Sequence, residues 1–242
     1  MKTRLAVVLA AGLGSRLRPL TDDRPKALVA VGGRSLLGRA LDNLAEQGVE
    51  HLVVATGYRG DAVAAALRDA PLRVTLRPNP DYDTTQNVTS FALCADDLRG
   101  EAFFKLDGDV LFMPEVLRRL ESSDADLAVA IDGRERVDAE AMKVVVEGER
   151  ICRFGKQLAP AQAAGETIGI ERISADASAV VVDGLIRAVA EGRTDVYYED
   201  VYDELVRRKQ LIAAPVEVGD LPWTEVDDPA DLARAERLFG QG

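Results

Sequence analysis

The first half of the chain alternates short apolar runs with amphipathic segments. Apolar runs bounded by turn residues are typical of strands that are buried on both faces of a sheet. Such runs cover residues 5–10, 51–56, 72–78 and 101–112, the last ending in a turn. Helical spacing follows each of the first three runs, over 36–48 behind a Ser35 cap, from 60 onward, and over 87–98. With right-handed crossovers, this order predicts a mostly parallel sheet with helices on both faces.

The second half mixes strand and helix patterns without a regular alternation. Strand patterns cover 126–132, 142–148, 150–155, 166–173, 211–218 and 222–227, the second and third forming a hairpin. Helical patterns cover roughly 174–191 and 198–209, and a last helix begins at Pro229 behind Asp228 as its N-cap. No linker rich in Pro, Gly or Ser divides the chain. We therefore expect a single domain over residues 1–242 with a small mixed extension.

Composition narrows the classes of partner. The 242 residues are 47% hydrophobic, which is enough for a sizeable core, and their net charge is −11. That charge argues against nucleic acid or an anionic membrane as the main partner. The apolar runs are too short to cross a bilayer, so we expect a cytoplasmic protein without membrane insertion. Cys94 and Cys152 match no metal or redox spacing, and we expect both as small core residues.

Positive charge is concentrated near the start of the chain. Residues 1–35 hold seven basic and two acidic side chains, which indicates a local anion site. Gly12 and Gly14 follow the first strand, where open parallel sheets bind ligands and where glycine lets backbone N–H groups approach a phosphate. Arg16 and Lys26 can neutralise its charge. The third glycine of a dinucleotide fingerprint and the Gly-Lys-Ser/Thr of a Walker A loop are absent. A longer loop held open by prolines remains, and it suits a triphosphate.

The stretch LAAGLGSRLRPLTDDRPKALV, residues 9–29, resembles the signature of nucleotidyltransferases, the pyrophosphorylase superfamily that makes NDP-sugars and CDP-alcohols. The resemblance implies a Rossmann-like, GT-A-like α/β fold with a nucleotide-binding half (1–112) and an acceptor-binding half (113–242). It implies that the loop surrounds the base and phosphates with Leu9, Ala10, Ala11, Gly12 and Gly14. Ser15 and Arg16 would then contact the β- and γ-phosphates, and Lys26 would reach toward the α-phosphate.

Acidic positions far apart in the chain are candidate metal ligands. Asp107 and Asp109 lie at the end of a strand pattern, where carboxylates either bind a metal ion or form a turn. In the superfamily this element supplies one metal ligand, which Asp109 matches, and WTEVDDPADL resembles the late element that supplies another, Asp227. The resemblance thus implies one Mg²⁺ held by Asp109 and Asp227, with Asp107 beside the nucleotide. Alternatively, Asp227 only precedes a helix cap. Glu225 lies further from the match.

The segment after the third strand bears on the choice of base. Sugar-1-phosphate enzymes of the superfamily usually carry a glycine-rich segment there, whereas this chain has no glycine between residues 61 and 99. The sequence NPDYDTTQNVTSFALCADDL is more similar to the phosphocholine and phosphonate cytidylyltransferase branch, which favours CTP. By that resemblance Asn87 and Ser90 lie near the base or the acceptor, although Asn87 also fits a helix cap.

The second half resembles the same branch in its M-K-V hairpin and in the strand ETIGIERI. There, Lys143 or Lys156 would meet the acceptor phosphate and Glu166 would line the pocket, although either lysine also fits an exposed surface. One group of aromatic and acidic side chains suits a cationic head group such as choline. It equally fits a helix with an acidic first turn. This group is Tyr197, Tyr198, Glu199 and Asp200.

The resemblance implies Mg²⁺-dependent transfer of CMP from CTP to a small phosphate or phosphonate, of the phosphocholine or 2-aminoethylphosphonate type, with release of pyrophosphate. Two alternatives remain open, namely a sugar-1-phosphate nucleotidyltransferase using UTP, GTP or dTTP, and a non-catalytic nucleotide-binding subunit. The implied catalytic residues Arg16, Lys26, Asp109 and Asp227 are all present, which counts against the non-catalytic subunit. A homodimer is a further expectation.

Overall fold

A computed structural model describes residues 2–133, 137 and 139–240. Within these ranges no helix combines the length and the apolar composition that a membrane span requires. The strands are β1 (Leu5–Ala10), β2 (Ala30–Val31), β3 (Arg34–Ser35), β4 (His51–Thr56), β5 (Arg73–Pro78), β6 (Phe103–Asp107), β7 (Val110–Phe112), β8 (Leu127–Asp132), β9 (Lys143–Glu147), β10 (Arg150–Gly155), β11 (Gly165–Ile173), β12 (Ala213–Glu217) and β13 (Trp223–Glu225). The α-helices are α1 (Leu36–Gln47), α2 (Gly60–Ala66), α3 (Asn87–Ala92), α4 (Ala95–Leu98), α5 (Glu115–Glu121), α6 (Ala175–Ala190), α7 (Tyr198–Arg207) and α8 (Pro229–Phe239).

Nine strands form one mixed sheet in the order β5-β4-β1-β6-β11-β8-β12-β10-β9. Strands β5, β4, β1 and β6 are parallel, whereas β11 runs antiparallel to both β6 and β8. Strand β12 is parallel to β8, and β10 pairs antiparallel with β12 and β9. Two antiparallel pairs, β2–β3 and β7–β13, lie outside this sheet. The predicted α/β architecture is confirmed, and the parallel order ends where β11 joins the second half of the chain to the first.

Strand β1 is apolar at every position because helices cover both faces of the sheet. Leu5, Val7 and Leu9 pack in one core cluster with α3, α6 and α7. The alternate residues of β1 pack in a second cluster with α1, α2 and α5. Burying one such Leu or Val contributes roughly 1.5–3 kcal/mol. Two separate cores therefore hold β1 at the centre of the sheet and fix its carboxyl end, where the first loop begins.

Some segments differ from the sequence-based expectation. Residues 87–98 form two short helices instead of one, because a tight turn, in which Cys94 N donates to Phe91 O at 3.0 Å, ends α3. Residues 101–112 form two strands, because Gly108 N donates to Leu9 O at 3.0 Å and the chain leaves the main sheet. Helix α5 and the β2–β3 hairpin had no counterpart in the sequence-based prediction.

A cluster of charged side chains lies in the interior where β6, β11 and α7 meet. The ammonium of Lys105, which is completely buried, lies 2.9 Å from Asp107 Oδ1 and 3.3 Å from Glu171 Oε2. It also lies 3.5 Å from the ring centroid of Tyr198, whose hydroxyl is 3.0 Å from Asp107 Oδ2. Burial, opposed by Lys105 and reinforced by Asp107, raises the pKa of Glu171 to about 7. The interior of this fold thus holds a carboxyl group that titrates near neutral pH.

We predict that Glu171→Gln flattens the dependence of stability on pH. The groups that face Glu171 are Lys105, Asp107, Tyr198, Tyr202 and Glu199. Because its pKa is higher in the folded state than the ordinary 4.5, the folded protein binds this proton more tightly. Its stabilising contribution is complete below about pH 4.5 and is lost as the pH rises through about 7.

The free energy of unfolding of the wild type should therefore fall from pH 5 to pH 8 by up to roughly 3 kcal/mol more than that of Glu171→Gln. Urea unfolding at several pH values measures this difference. Glu149→Gln, at an exposed position in the β9–β10 turn, is the control and should keep the wild-type slope. Equal slopes for Glu171→Gln and wild type would contradict the prediction.

Candidate active site

A cavity of about 430 Å³ opens at the carboxyl ends of β1 and β6. Its wall combines residues of both halves of the chain, because the antiparallel β11 and the start of α7 close it opposite the first loop. Tyr197 lines it, and so do twelve other residues that we selected from the sequence. They are Leu9, Ala11, Gly12, Arg16, Asn87, Ser90, Asp107, Asp109, Lys156, Glu166, Glu199 and Asp227.

The first loop folds tightly against the edge of the sheet. It contains two short 3₁₀ helices, Ser15–Leu17 and Lys26–Leu28. Gly14 adopts φ +66°, and a Cβ there would lie 2.8 Å from the Cβ of Lys26, so glycine allows the two parts of the loop to approach. Gly12 and Arg16 line the cavity, whereas Gly14, Ser15 and Lys26 do not, although Lys26 contacts the lining residues Asp109 and Asp227. Ala10 is buried in the sheet, so only its backbone is available to the cavity.

Three carboxylates converge beside this loop. The β7–β13 pair places Glu225 opposite Val110, and Val226 N donates to Asp109 O at 3.0 Å. As a result, Asp109, Glu225 and Asp227 offer oxygen atoms that all lie within 4.8 Å of one another. The sequence analysis selected the two aspartates and left Glu225 aside. The signal that could have identified Glu225 is the period of two along the predicted strand over 222–227, which assigns residues 225 and 227 to the same face.

Two basic side chains of the first loop contact this acidic cluster. Lys26 Nζ lies 2.6 Å from Asp109 Oδ2 and also contacts Asp227 Oδ1, and Arg16 Nη2 lies 2.6 Å from Asp227 Oδ2. Burial opposes ionisation of Asp227, but Lys26 and Arg16 hold its pKa below the ordinary value. Restricted hydration, and then repulsion by Asp109 and Asp227, raise the pKa of Glu225 although the residue is exposed. The cluster is therefore short of positive charge and can hold a metal cation.

The far wall of the cavity carries an acidic side chain, Glu199, and a basic side chain, Lys156, which lies near the ring of Tyr197. Glu199 is only 5% exposed, and its Oε2 has no hydrogen-bond partner among the described residues. Burial, partly offset by Lys105 and reinforced by Asp107, raises the pKa of Glu199 to about 8. Lys156 Nζ lies 4.5 Å from the ring centroid of Tyr197. This wall can therefore receive a ligand that carries both a negative and a positive group.

Three residues that we expected at the acceptor, Lys143, Tyr198 and Asp200, do not line the cavity. The buried Lys143 donates to the carbonyl oxygens of Ala139, Ala141 and Lys156 at 2.7–2.9 Å, which uses all three of its hydrogens. Tyr198 is completely buried, with its hydroxyl on Asp107.

Asp200 accepts a hydrogen bond from Tyr197 N at 2.8 Å and caps α7. The capping interpretation of the acidic turn is thus the one that the structure shows for Asp200. In contrast, Glu199 points into the cavity.

The segment between β5 and α3 forms the remaining side of the cavity. Asn87 Oδ1 accepts from Tyr198 N at 3.0 Å, so Asn87 caps α7 and not its own helix. Ser90 Oγ accepts from the buried Asn79 Nδ2 at 3.0 Å, and Asn79 also contacts Thr85 Oγ1. The sequence analysis did not select Asn79, although an Asn directly after a predicted strand is a typical turn former.

The chain is similar to known proteins in sequence and in structure. Residues 6–203 match the family model described as MobA-like NTP transferase domain. The CMP-5'-(3-aminopropyl)phosphonate synthase of Streptomyces rubellomurinus is 32% identical over an alignment of 246 positions, which covers 97% of this chain and 38% of that protein. The bifunctional IPC transferase and DIPP synthase of Rubrobacter xylanophilus is 35% identical over 239 residues, 96% of this chain and 51% of that protein. The chain thus spans about half or less of the length of these relatives.

Among solved structures, the inositol-1-phosphate CTP transferase from T. maritima superposes with a TM-score of 0.83 at 27% identity, covering 100% of this chain and 98% of that one. Sugar-phosphate uridylyltransferases match over shorter stretches, 52% and 27% of the chain. The family match begins in β1 and ends in α7, so it includes the first loop and Asp109, whereas Glu225 and Asp227 lie beyond it. The chain belongs to the MobA-like NTP transferase family of nucleotidyltransferases.

Proposed function

We propose that this protein is a Mg²⁺-dependent cytidylyltransferase that transfers CMP from CTP to a small phosphonate or phosphate carrying a cationic amine. The observation that carries the proposal is the meeting of Asp109, Glu225 and Asp227 with Lys26 and Arg16 at one cavity. The opposite wall of that cavity is acidic. The name of the Streptomyces relative, which joins CMP to an aminoalkylphosphonate, supports both the base and the acceptor class.

The donor set fits a hard divalent cation. All three groups are carboxylates, which Mg²⁺ prefers beside phosphate oxygens. Asp109 Oδ1 is buried without a hydrogen-bond partner in the described part of the chain, and so has a lone pair free for a cation. Asp109, Glu225 and Asp227 would hold the ion. When bound, Mg²⁺ supplies positive charge to the phosphate oxygens of the nucleotide.

In the proposed reaction an oxygen of the acceptor phosphonate attacks the α-phosphorus of CTP. A new P–O bond forms, the bond from the α-phosphorus to the bridging oxygen breaks, and pyrophosphate leaves with that electron pair. Lys26 and Arg16 bind the phosphates of CTP and offset the repulsion between the two anions. Lys156 binds the acceptor phosphonate. No general base is needed, because the second pKa of such groups is roughly 6 and the acceptor oxygen is already ionised.

Glu199 supports the proposal that the acceptor carries an amine. A buried carboxylate oxygen without a partner costs free energy unless a ligand supplies a donor. A primary ammonium supplies both a donor and a positive charge, and the nearby Tyr197 ring adds a cation–π contact. Asp107 extends the same acidic wall. An aminoalkylphosphonate satisfies Lys156 at one end and Glu199 at the other.

An inositol phosphate is the second candidate acceptor. It is supported by the T. maritima structure, whose name gives that substrate and which covers the whole of this chain. The hydroxyls of a polyol also donate to buried carboxylates. The two acceptors differ in charge, so a direct comparison separates them.

We predict that CTP and an aminoalkylphosphonate are the preferred pair. Pyrophosphate release would be measured with CTP, UTP, GTP and dTTP against 2-aminoethylphosphonate, 3-aminopropylphosphonate, phosphocholine, inositol 1-phosphate and glucose 1-phosphate. Preferred turnover of inositol or sugar phosphate would refute the amine acceptor. The absence of turnover with every pair would favour a non-catalytic nucleotide-binding subunit.

We predict that Asp109→Asn lowers kcat by roughly 100-fold or more, because one anionic ligand beside the reacting phosphate is removed. Mn²⁺ binding in the presence of CTP, measured by electron paramagnetic resonance, should weaken in parallel. Asp96→Asn, an exposed position on α4, is the matched control. An unchanged Mn²⁺ affinity in a folded Asp109→Asn protein would refute the metal assignment.

We predict that Glu199→Gln raises the KM for aminoalkylphosphonate by roughly 10- to 100-fold, the worth of one charged hydrogen bond. The KM for CTP should stay within about threefold of the wild-type value, since Glu199 lies on the acceptor wall. Propylphosphonate, which lacks the amine, is the control substrate, and its KM should not rise. Equal losses for both acceptors would contradict recognition of the amine by Glu199.

A further inference from the structure

The charged cluster below the cavity holds more carboxylates than cations. Asp107 and Glu171 contact one ammonium, that of Lys105, and Glu199 lies near enough for its pKa to respond to all three groups. Asp107 and Glu199 face the cavity, whereas Glu171 and Lys105 do not. Several carboxylates crowded in the interior are unstable unless a cation compensates for their lost hydration. The negative charge of the cavity wall therefore depends on a lysine that the cavity does not reach.

The position of the Lys105 ammonium is defined on several sides. Asp107 Oδ1 lies 2.9 Å away and Glu171 Oε2 lies 3.3 Å away, while the ring of Tyr198 covers another side at 3.5 Å from its centroid. Gly169 adopts φ +74°, and a Cβ there would overlap Asp107 Oδ2, so the strand leaves room for that carboxylate. This arrangement leaves the Lys105 ammonium no route to solvent and none to a substrate.

The same contacts link Lys105 to the start of α7. Tyr198, on which the ammonium rests, is the first residue of α7, and its backbone N–H is held by Asn87 Oδ1. Tyr197 and Glu199 flank it and point into the cavity. A change in charge at residue 105 therefore affects the acceptor wall in two ways. It changes the electrostatic field at Glu199, and it changes the position of Tyr198.

We propose that Lys105 is a positioning residue for the acceptor, whose buried ammonium, through its contacts with Asp107 and the ring of Tyr198, holds Asp107 and Glu199 in place to receive the acceptor amine. This inference rests on the proposed function. Lys105 touches neither substrate, and it acts through the two carboxylates. The nucleotide side has its own cations in Lys26 and Arg16, so the effect of Lys105 is confined to the acceptor.

Three variants test this role. Lys105→Met removes the charge and keeps a side chain of similar length. Glu171→Gln removes one buried carboxylate that does not face the cavity. The double variant Lys105→Met/Glu171→Gln removes one charge of each sign and leaves the net charge of the cluster unchanged. KM and kcat would be measured for aminoalkylphosphonate, propylphosphonate and CTP, together with the free energy of unfolding.

Lys105→Met should raise the KM for aminoalkylphosphonate by roughly 10-fold or more, while the KM for CTP and for propylphosphonate stays within about threefold. Without Lys105, Asp107 and Glu171 lose the ammonium that lies between them and the ring of Tyr198 loses its contact, so the start of α7 no longer holds Glu199 in place. The double variant should recover at least half of the lost affinity on a logarithmic scale.

A purely structural role predicts equal losses for all substrates and no recovery in the double variant, and this result would overturn the inference. If Lys105→Met does not fold, the double variant decides alone, and a KM for the amine more than about threefold above that of Glu171→Gln overturns it. Wild-type protein that does not distinguish aminoalkylphosphonate from propylphosphonate would overturn the proposed acceptor and this inference together. Discrimination that is equal in wild type and folded Lys105→Met would overturn this inference only.

Discussion

Six carboxylates lie around one end of the main sheet, and the structure depends on the few basic side chains that balance their negative charge. They form two groups, Asp109, Glu225 and Asp227 around Lys26, and Asp107, Glu171 and Glu199 around Lys105. Crowded carboxylates in a dehydrated site repel one another and lose hydration, so each group needs positive charge at contact distance. The two lysines differ in one respect, because Lys26 comes from a loop beside the cavity and Lys105 from the middle of a buried strand.

This difference gives the two sides of the cavity different chemistry. Lys26 and Arg16 extend from the first loop and both contact Asp227, some 200 positions later, and Lys26 also contacts Asp109, so a phosphate or a metal ion can exchange partners with them. Lys105 has no such freedom, since strands β6 and β11 and the ring of Tyr198 enclose it. We infer that ions can exchange on the nucleotide side of the cavity, whereas the charged groups on the acceptor side stay in fixed positions.

The sequence was sufficient to predict those parts of the structure that depend on residues close together in the chain. Strand β1 is a continuous apolar run because two cores cover it, and its pattern identifies it without knowledge of its partners. The first loop is similarly local, since Gly14, Arg16 and Lys26 lie within one short segment. The family of this segment was recognised from its sequence, and the family match bears it out. The break between α3 and α4 was missed because apolar spacing continues through Cys94 while the backbone turns.

Prediction was less successful where the role of a residue depends on distant contacts. Lys143 and Lys156 look alike in the sequence, but Lys143 points inward and donates to three carbonyls, one of them that of Lys156. Lys143 thus supports the backbone of the lysine that does line the cavity, so one residue of the pair positions the other. Tyr198 and Glu199 diverge in the same way, because successive residues at a helix start point in different directions. The packing of α7 against β10, α6 and α3, together with the hydrogen bonds of the Tyr198 hydroxyl to Asp107 and Glu171, determines which of the two reaches the cavity, and these contacts come from distant parts of the chain.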